Sequence, residues 1–129
     1  MPISFRIDKR LGLLTTTGTG EVTDEEMKEY GERLRSDPDL AHVTREISDF
    51  RGAKVSVMPL RLAEIARMHT RAFSAGQRTR CAVLVSSELV YGFVRMYAVC
   101  AEPLGHEVHP FRSMAEAREW LGLEREDAP

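Results

Sequence analysis

The segment His106-Glu-Val-His109 sets two imidazoles three residues apart, a spacing that superficially looks like a metal pair. Two imidazoles can share an ion when they lie on one face. The surrounding residues read as a strand, however, and on a strand residues three apart point to opposite sides. No cysteine or further histidine stands close enough to complete a zinc ligand set. The two histidines are therefore expected at the solvent edge, and no metal is assigned. Gly18-Thr-Gly20 lies between a strand and a helix, where a phosphate-binding loop would sit. Thr23 occupies the position of the third glycine, and no Gly-Lys-Ser/Thr follows, so both glycines are read as turn residues. His42 lies beside Asp39 with no nucleophile near it in sequence. No catalytic residue and no cofactor is assigned. His69 stands among Ile65, Ala72 and Phe73 on a helical apolar face. It is either a hydrogen-bonded histidine at the edge of a core or a polar handle in an apolar pocket.

The strongest signal is apolar. Glu88 to Ala101 reads as a helix whose apolar arc covers roughly 220°, twice what one buried stripe requires. Leu89, Phe93, Met96 and Cys100 are expected to pack on a sheet. Val90, Val94, Tyr97 and Ala101, with Tyr91 at the margin, then need another cover: a twin subunit, a partner protein, an apolar ligand, a membrane surface or neighbouring helices of the same domain. Arg95 is the one charge inside the helix. It either anchors a carboxylate head group or reaches solvent along its stem. Tyr91 and Tyr97 have the apolar body and polar tip that suit an interface. With Met68, His69 and Ala72 of a helix over 59–73, the residues Val90, Tyr91, Val94, Arg95, Tyr97 and Ala98 form the candidate ligand or interface set.

Both helices need a scaffold. Ile3, Phe5 and Ile7 alternate with polar residues as a half-buried strand, and Leu13–Thr17 completes an N-terminal hairpin. Thr23 and Glu26 form a capping box that opens a thin-striped surface helix ending before Pro38, with Val22 and Met27 placed as a staple. Val43–Phe50 reads as a third strand, with Asp49-Phe-Arg-Gly52 as its closing turn. A helix starts near Pro59, a favoured first-turn residue. Cys81–Val85 is a short unbroken apolar run, the pattern of a central parallel strand. Ser86 or Ser87 caps helix 88–101. Glu107–Phe111 is a fifth strand. Ser113 and Glu116 box a last helix that stops at Gly122. The order β-β-α-β-α-β-α-β-α predicts an α/β fold: a mostly parallel sheet with an antiparallel N-terminal hairpin. Residues 1–122 read as a single domain and 123–129 as a charged C-terminal tail.

The 129 residues carry a net charge of −2, from 18 basic and 20 acidic side chains. That balance lacks the basic excess of a nucleic-acid binder, so no nucleic-acid partner is expected. Cys81 and Cys100 sit in apolar settings and read as reduced core residues. No run reaches the roughly 18 apolar residues of a membrane span, and the N-terminus lacks a signal core. The expected location is cytoplasmic.

Five stretches carry a family resemblance: Ile3–Asp8, Gly20–Glu26, Asp49–Gly52, Gly92–Tyr97 and Phe111–Leu121. In that order they resemble the STAS domain of anti-sigma-factor antagonists, and more closely the stand-alone SpoIIAA-like proteins, whose fold is also compared with CRAL-TRIO. The resemblance implies a binding module rather than an enzyme. In the antagonists, a serine at the start of the helix after the third strand is a phosphorylation switch. Here Met58 and Pro59 stand near that place, without the Asp-Ser-Ser-Gly type signature, and Ser56 is the nearest hydroxyl. For the stand-alone proteins the resemblance implies apolar-ligand or membrane-surface association through movable helices. The expected function is therefore protein interaction or self-association through helix 88–101, as a homodimer or with a partner protein. The alternative is an apolar small molecule, lipid or membrane surface bound between helices 59–73 and 88–101.

Overall fold

The computed structural model describes residues 2–123. Five strands form one sheet in the order β1 (Ile3–Asp8), β2 (Leu13–Thr23), β3 (Arg45–Ser56), β4 (Thr79–Leu84) and β5 (His106–Phe111). β1 and β2 are antiparallel, and every later pairing is parallel. Helices α1 (Asp24–Arg35), α2 (Leu62–Ala72) and α3 (Glu88–Ala101) make the three parallel crossovers, and α4 (Met114–Trp120) follows β5. The predicted element order and fold class hold.

Each crossover joins neighbouring strands and steps the same way across the sheet, so right-handed connections put α1, α2 and α3 on one face. The packing agrees. Leu14 and Val22 of β2 meet Tyr30 and Leu34 of α1. Cys81, Val83 and Val108 meet Ala66 of α2 and Val94 and Ala101 of α3. The other face packs Leu13, Ile47, Ala82 and Leu84 against Ala117 of α4 and its C-cap Leu121, and Leu123 joins this layer. The rest of the predicted tail, 124–129, lies outside the described residues.

Three helices begin with side-chain caps. Thr23, Ser87 and Ser113 accept from the backbone N–H groups of Glu26, Val90 and Glu116, satisfying donors a helix start leaves open. α2 has none: Pro59 opens a short 3-10 turn, Pro59–Arg61, that runs directly into it.

Two sequence expectations fail at the same place. Gly18 and Gly20 are not turn residues, and Asp49–Gly52 is not a turn. β2 and β3 continue through both as a parallel ladder to the pair Thr23–Ser56, past an irregularity between Thr17 and Thr19. The β3–β4 ladder stops earlier, at Asp49–Leu84. The ends of β2 and β3 therefore project beyond the sheet as a two-stranded ribbon. Asp49 supplies its own local order by accepting from the Arg51 amide and guanidinium. Gly18 is required by packing: any Cβ there would run into the Phe50 ring, which lies across it.

Candidate functional site

Under α2, the helix-bearing face of the sheet holds a buried polar cluster. Glu46 projects from the N-terminal end of β3 and is 1% exposed. Its Oε1 lies 3.0 Å from His69 Nε2 on α2, and its Oε2 accepts from the Thr79 hydroxyl on β4 at 2.7 Å. Thr79 Oγ1 also lies 2.6 Å from His106 Nδ1 on β5. A hydroxyl has one proton to give. Since Thr79 spends it on Glu46, His106 must donate through Nδ1–H, which fixes its tautomer.

Burial by itself would raise the Glu46 carboxyl, but the charge and hydrogen bond of His69, the Thr79 hydroxyl and His106 together hold it below the usual range. Burial lowers His106, outweighing the opposing pull of Glu46. Glu46 is thus an anion held by hydrogen bonds from its neighbours, the condition under which a buried charge is tolerated. Aromatic rings close it in: His69 stacks on Tyr30 at 5.9 Å between centroids and meets Phe73 edge-on. Nearby, burial and the Glu46 charge push the Cys81 thiol well up. That thiol is protonated at neutral pH and is no thiolate nucleophile.

Beside this cluster lies an apolar groove at the carboxyl-terminal edge of the parallel strands. Its walls are Leu62 and Ile65 of α2, Val90, Phe93, Val94 and Tyr97 of α3, Val22 and Met27 around the start of α1, and Phe50, Val55 and Val57 of β3 and the residue after it, with Val83 as part of the floor. The inner space is about 100 Å³ and opens to solvent. No polar surface lines it. In the chain, the exposed Met58 (61%) and Leu60 (89%) stand between wall residues Val57 and Leu62, and the exposed Leu89 (66%) precedes wall residue Val90. The projecting β2–β3 ribbon supplies one wall, so the irregular extension that the sequence concealed builds the groove.

The candidate residues fall into separate places. Val90, Val94 and Tyr97 line the groove. Ala98 packs into the α2–α3 core. Tyr91 lies under the Arg112 guanidinium, 4.3 Å from its ring centroid, and Arg112 also pairs with Glu88. Arg95 is exposed. Met68 and Ala72 do not line the groove: the Met68 backbone carbonyl faces Gly31 of α1, and Ala72 packs against the α1 core. His69 is a core-edge histidine bonded to Glu46, not a handle in the groove. Ser56 is exposed and pairs across the ribbon with Thr23, at the head of the acidic first turn of α1.

Two expectations are reversed. α3 packs inward with Val90, Val94, Tyr97 and Ala101, the side predicted to need an external cover. Leu89, Met96 (50%) and Val99 (73%) face solvent, and Phe93 sits between the two faces. The two histidines of His106-Glu-Val-His109 do lie on opposite faces, but only His109 is at the solvent edge. There it joins Phe111 and Trp120 in an aromatic group. Sequence reasoning missed Glu46 entirely. Its one signal was a carboxylate inside a strand that had to be covered on both faces.

Among the described residues no three or more His, Cys, Asp or Glu side chains are placed to share a metal ion. No helix among them is long and apolar enough to cross a membrane.

No family model matches the chain, and no curated protein matches it. Among solved structures, it is similar to an uncharacterized protein of the DUF3478 family with a SpoIIAA-like fold from Shewanella loihica PV-4. The two are 16% identical and superpose with a TM-score of 0.58 over 92% of this chain and 93% of that one. The fold is SpoIIAA-like, as the sequence resemblance implied.

Proposed function

We propose that this SpoIIAA-like chain is a non-enzymatic binding module that takes an apolar group into the groove between α2 and α3. The observation that carries the reading is the groove itself: an open space lined by apolar side chains from six elements, with exposed Met58 and Leu60 in the segment between two of its wall residues and exposed Leu89 beside a third. A soluble domain gains nothing from leaving such side chains in water, and rimmed apolar surface marks an interaction site. Ligand sites in parallel α/β sheets also gather at the carboxyl ends of the strands.

The inner volume limits what enters. A cavity of about 150 Å³ holds a benzene ring, so this smaller one takes the end of an alkyl chain while the remainder lies outside it. A free fatty acid and a bilayer acyl chain offer the same chemistry. Titration with decanoate and, separately, with phosphatidylcholine vesicles distinguishes them: thermal stabilisation by decanoate alone points to a carried ligand, and co-sedimentation with vesicles to a surface. Absence of both effects in the wild type defeats the reading. Val90→Trp, which fills the groove, removes whichever effect is seen.

A second observation favours protein contact as well. The outer face of α3, distinct from the groove side, exposes Met96 and Val99 to solvent. Self-association or a partner protein would use that face. The buried Glu46 cluster belongs to the scaffold beneath, where it fixes α2 on the sheet.

A further inference from the structure

On the outer side of α3, Leu89, Gly92, Met96 and Val99 follow one another at spacings of three, four and three, all of them exposed. That is the seam pattern by which one helix packs along another. A Cβ at Gly92 would meet nothing within 4 Å, so the middle of the stripe is open for a close approach. Two charges flank its C-terminal half. Arg95 and Glu102 are seven residues apart, on nearly the same side of the helix, and both are exposed. Neither forms an ion pair among the described residues, whereas Glu88 at the other end is held by Arg112.

These charges decide between the ways two copies of the stripe can meet. Antiparallel helices with Leu89 opposite the partner's Val99 bring Arg95 against the partner's Arg95, which repels. Sliding by one heptad sets Met96 opposite the partner's Val99 and Arg95 opposite the partner's Glu102, twice over. In that register the exposed Pro103, just past the end of α3, falls opposite the space at the partner's Gly92.

We propose that the chain forms an isologous dimer in which two α3 helices cross antiparallel between Met96 and Val99, with two reciprocal Arg95–Glu102 pairs across the two-fold axis. The contact leaves Leu89 and the groove mouth free, so one dimer presents two grooves. It rests on reading the outer face of α3 as a contact surface and is independent of what the groove holds. A seam on a single helix is a small interface, in the class that associates weakly, so the dimer forms in the micromolar range.

The test is sedimentation velocity on the full chain from about 10 to about 300 μM. The wild type is expected to shift from monomer to dimer mass across that range. Arg95→Glu and Glu102→Arg are each expected to weaken the dimer at least tenfold, since each sets like charges opposite one another. Mixed one to one, these two variants restore every opposite-sign pair and recover the dimer, as does the double variant. Met96→Asp abolishes it in any register. A wild type that stays monomeric overturns the dimer. A dimer indifferent to Met96→Asp shows that the outer face of α3 is not the contact. A dimer lost in Met96→Asp whose charge variants do not rescue one another keeps the face and overturns the register.

Discussion

Replacing His69 by Phe isolates the buried cluster. Phe keeps a ring against Tyr30 and Phe73 but cannot donate to Glu46. The carboxylate, 1% exposed, is then left with the Thr79 hydroxyl as its one direct hydrogen bond. Removing one partner of a buried pair costs about 3–5 kcal/mol because the other charge stays behind. With Thr79 in place the lower end applies, about 3 kcal/mol. For a chain of this size that lowers Tm by about 10–12 °C. The pH dependence has a definite sign. In the wild type the Glu46 carboxyl is held below its ordinary value of 4.5. Its contribution is therefore complete above that value and lost as pH falls through the lower folded one. In the variant, burial dominates and the carboxyl rises, so the penalty is greatest at neutral pH and shrinks on acidification as Glu46 takes up a proton. Urea unfolding of both proteins at pH 7 and at about pH 5 reads the difference. A gap under about 1 kcal/mol at pH 7, or one that does not narrow at the lower pH, refutes the account of Glu46 as an anion held by its neighbours. The companion variant Glu46→Leu with His69→Phe removes both partners and is expected to recover most of the loss, since an apolar replacement of a buried pair is often neutral.

Other perturbations check other parts of the account. Val94→Asp puts an unpaired charge into the α2–α3 core and is expected to unfold the protein, seen as loss of the cooperative thermal transition; a folded variant places α3 differently. Gly18→Ala collides with the Phe50 ring and is expected to cost about 1–3 kcal/mol in urea unfolding, with Phe50→Leu relieving part of it. Ser87→Ala removes the α3 cap bond to Val90 and is expected to cost about 1 kcal/mol by the same measurement.

How much of this was legible in the sequence differs between elements. The bounds of α3 could be read, its cap to within one residue, because Ser86 or Ser87 marks a start and the helix needs no tertiary help to be recognised. Its orientation could not. With apolar side chains around most of the circumference, periodicity gives no preferred side. Packing decides it, Val94 and Ala101 going to the bottom of the interface. The lengths of β2 and β3 were hidden for another reason. Glycine and aspartate signal turns through local preference, but two chains already in register continue their ladder past those residues. The groove wall was therefore invisible, being built from that continuation. Glu46 was unreadable because its role depends on His69, Thr79 and His106, which are remote in sequence and brought together by three parallel strands and a helix.

Native mass spectrometry of the protein as purified, compared with Val90→Trp prepared in the same way, tests the central claim most directly. The account predicts that the wild type retains an apolar molecule, released on denaturation, or takes up added decanoate, and that the groove-filled variant does neither while remaining folded. A wild type that carries nothing and binds no decanoate, or a Val90→Trp variant that binds as well as the wild type, contradicts the assignment of the α2–α3 groove as the binding site.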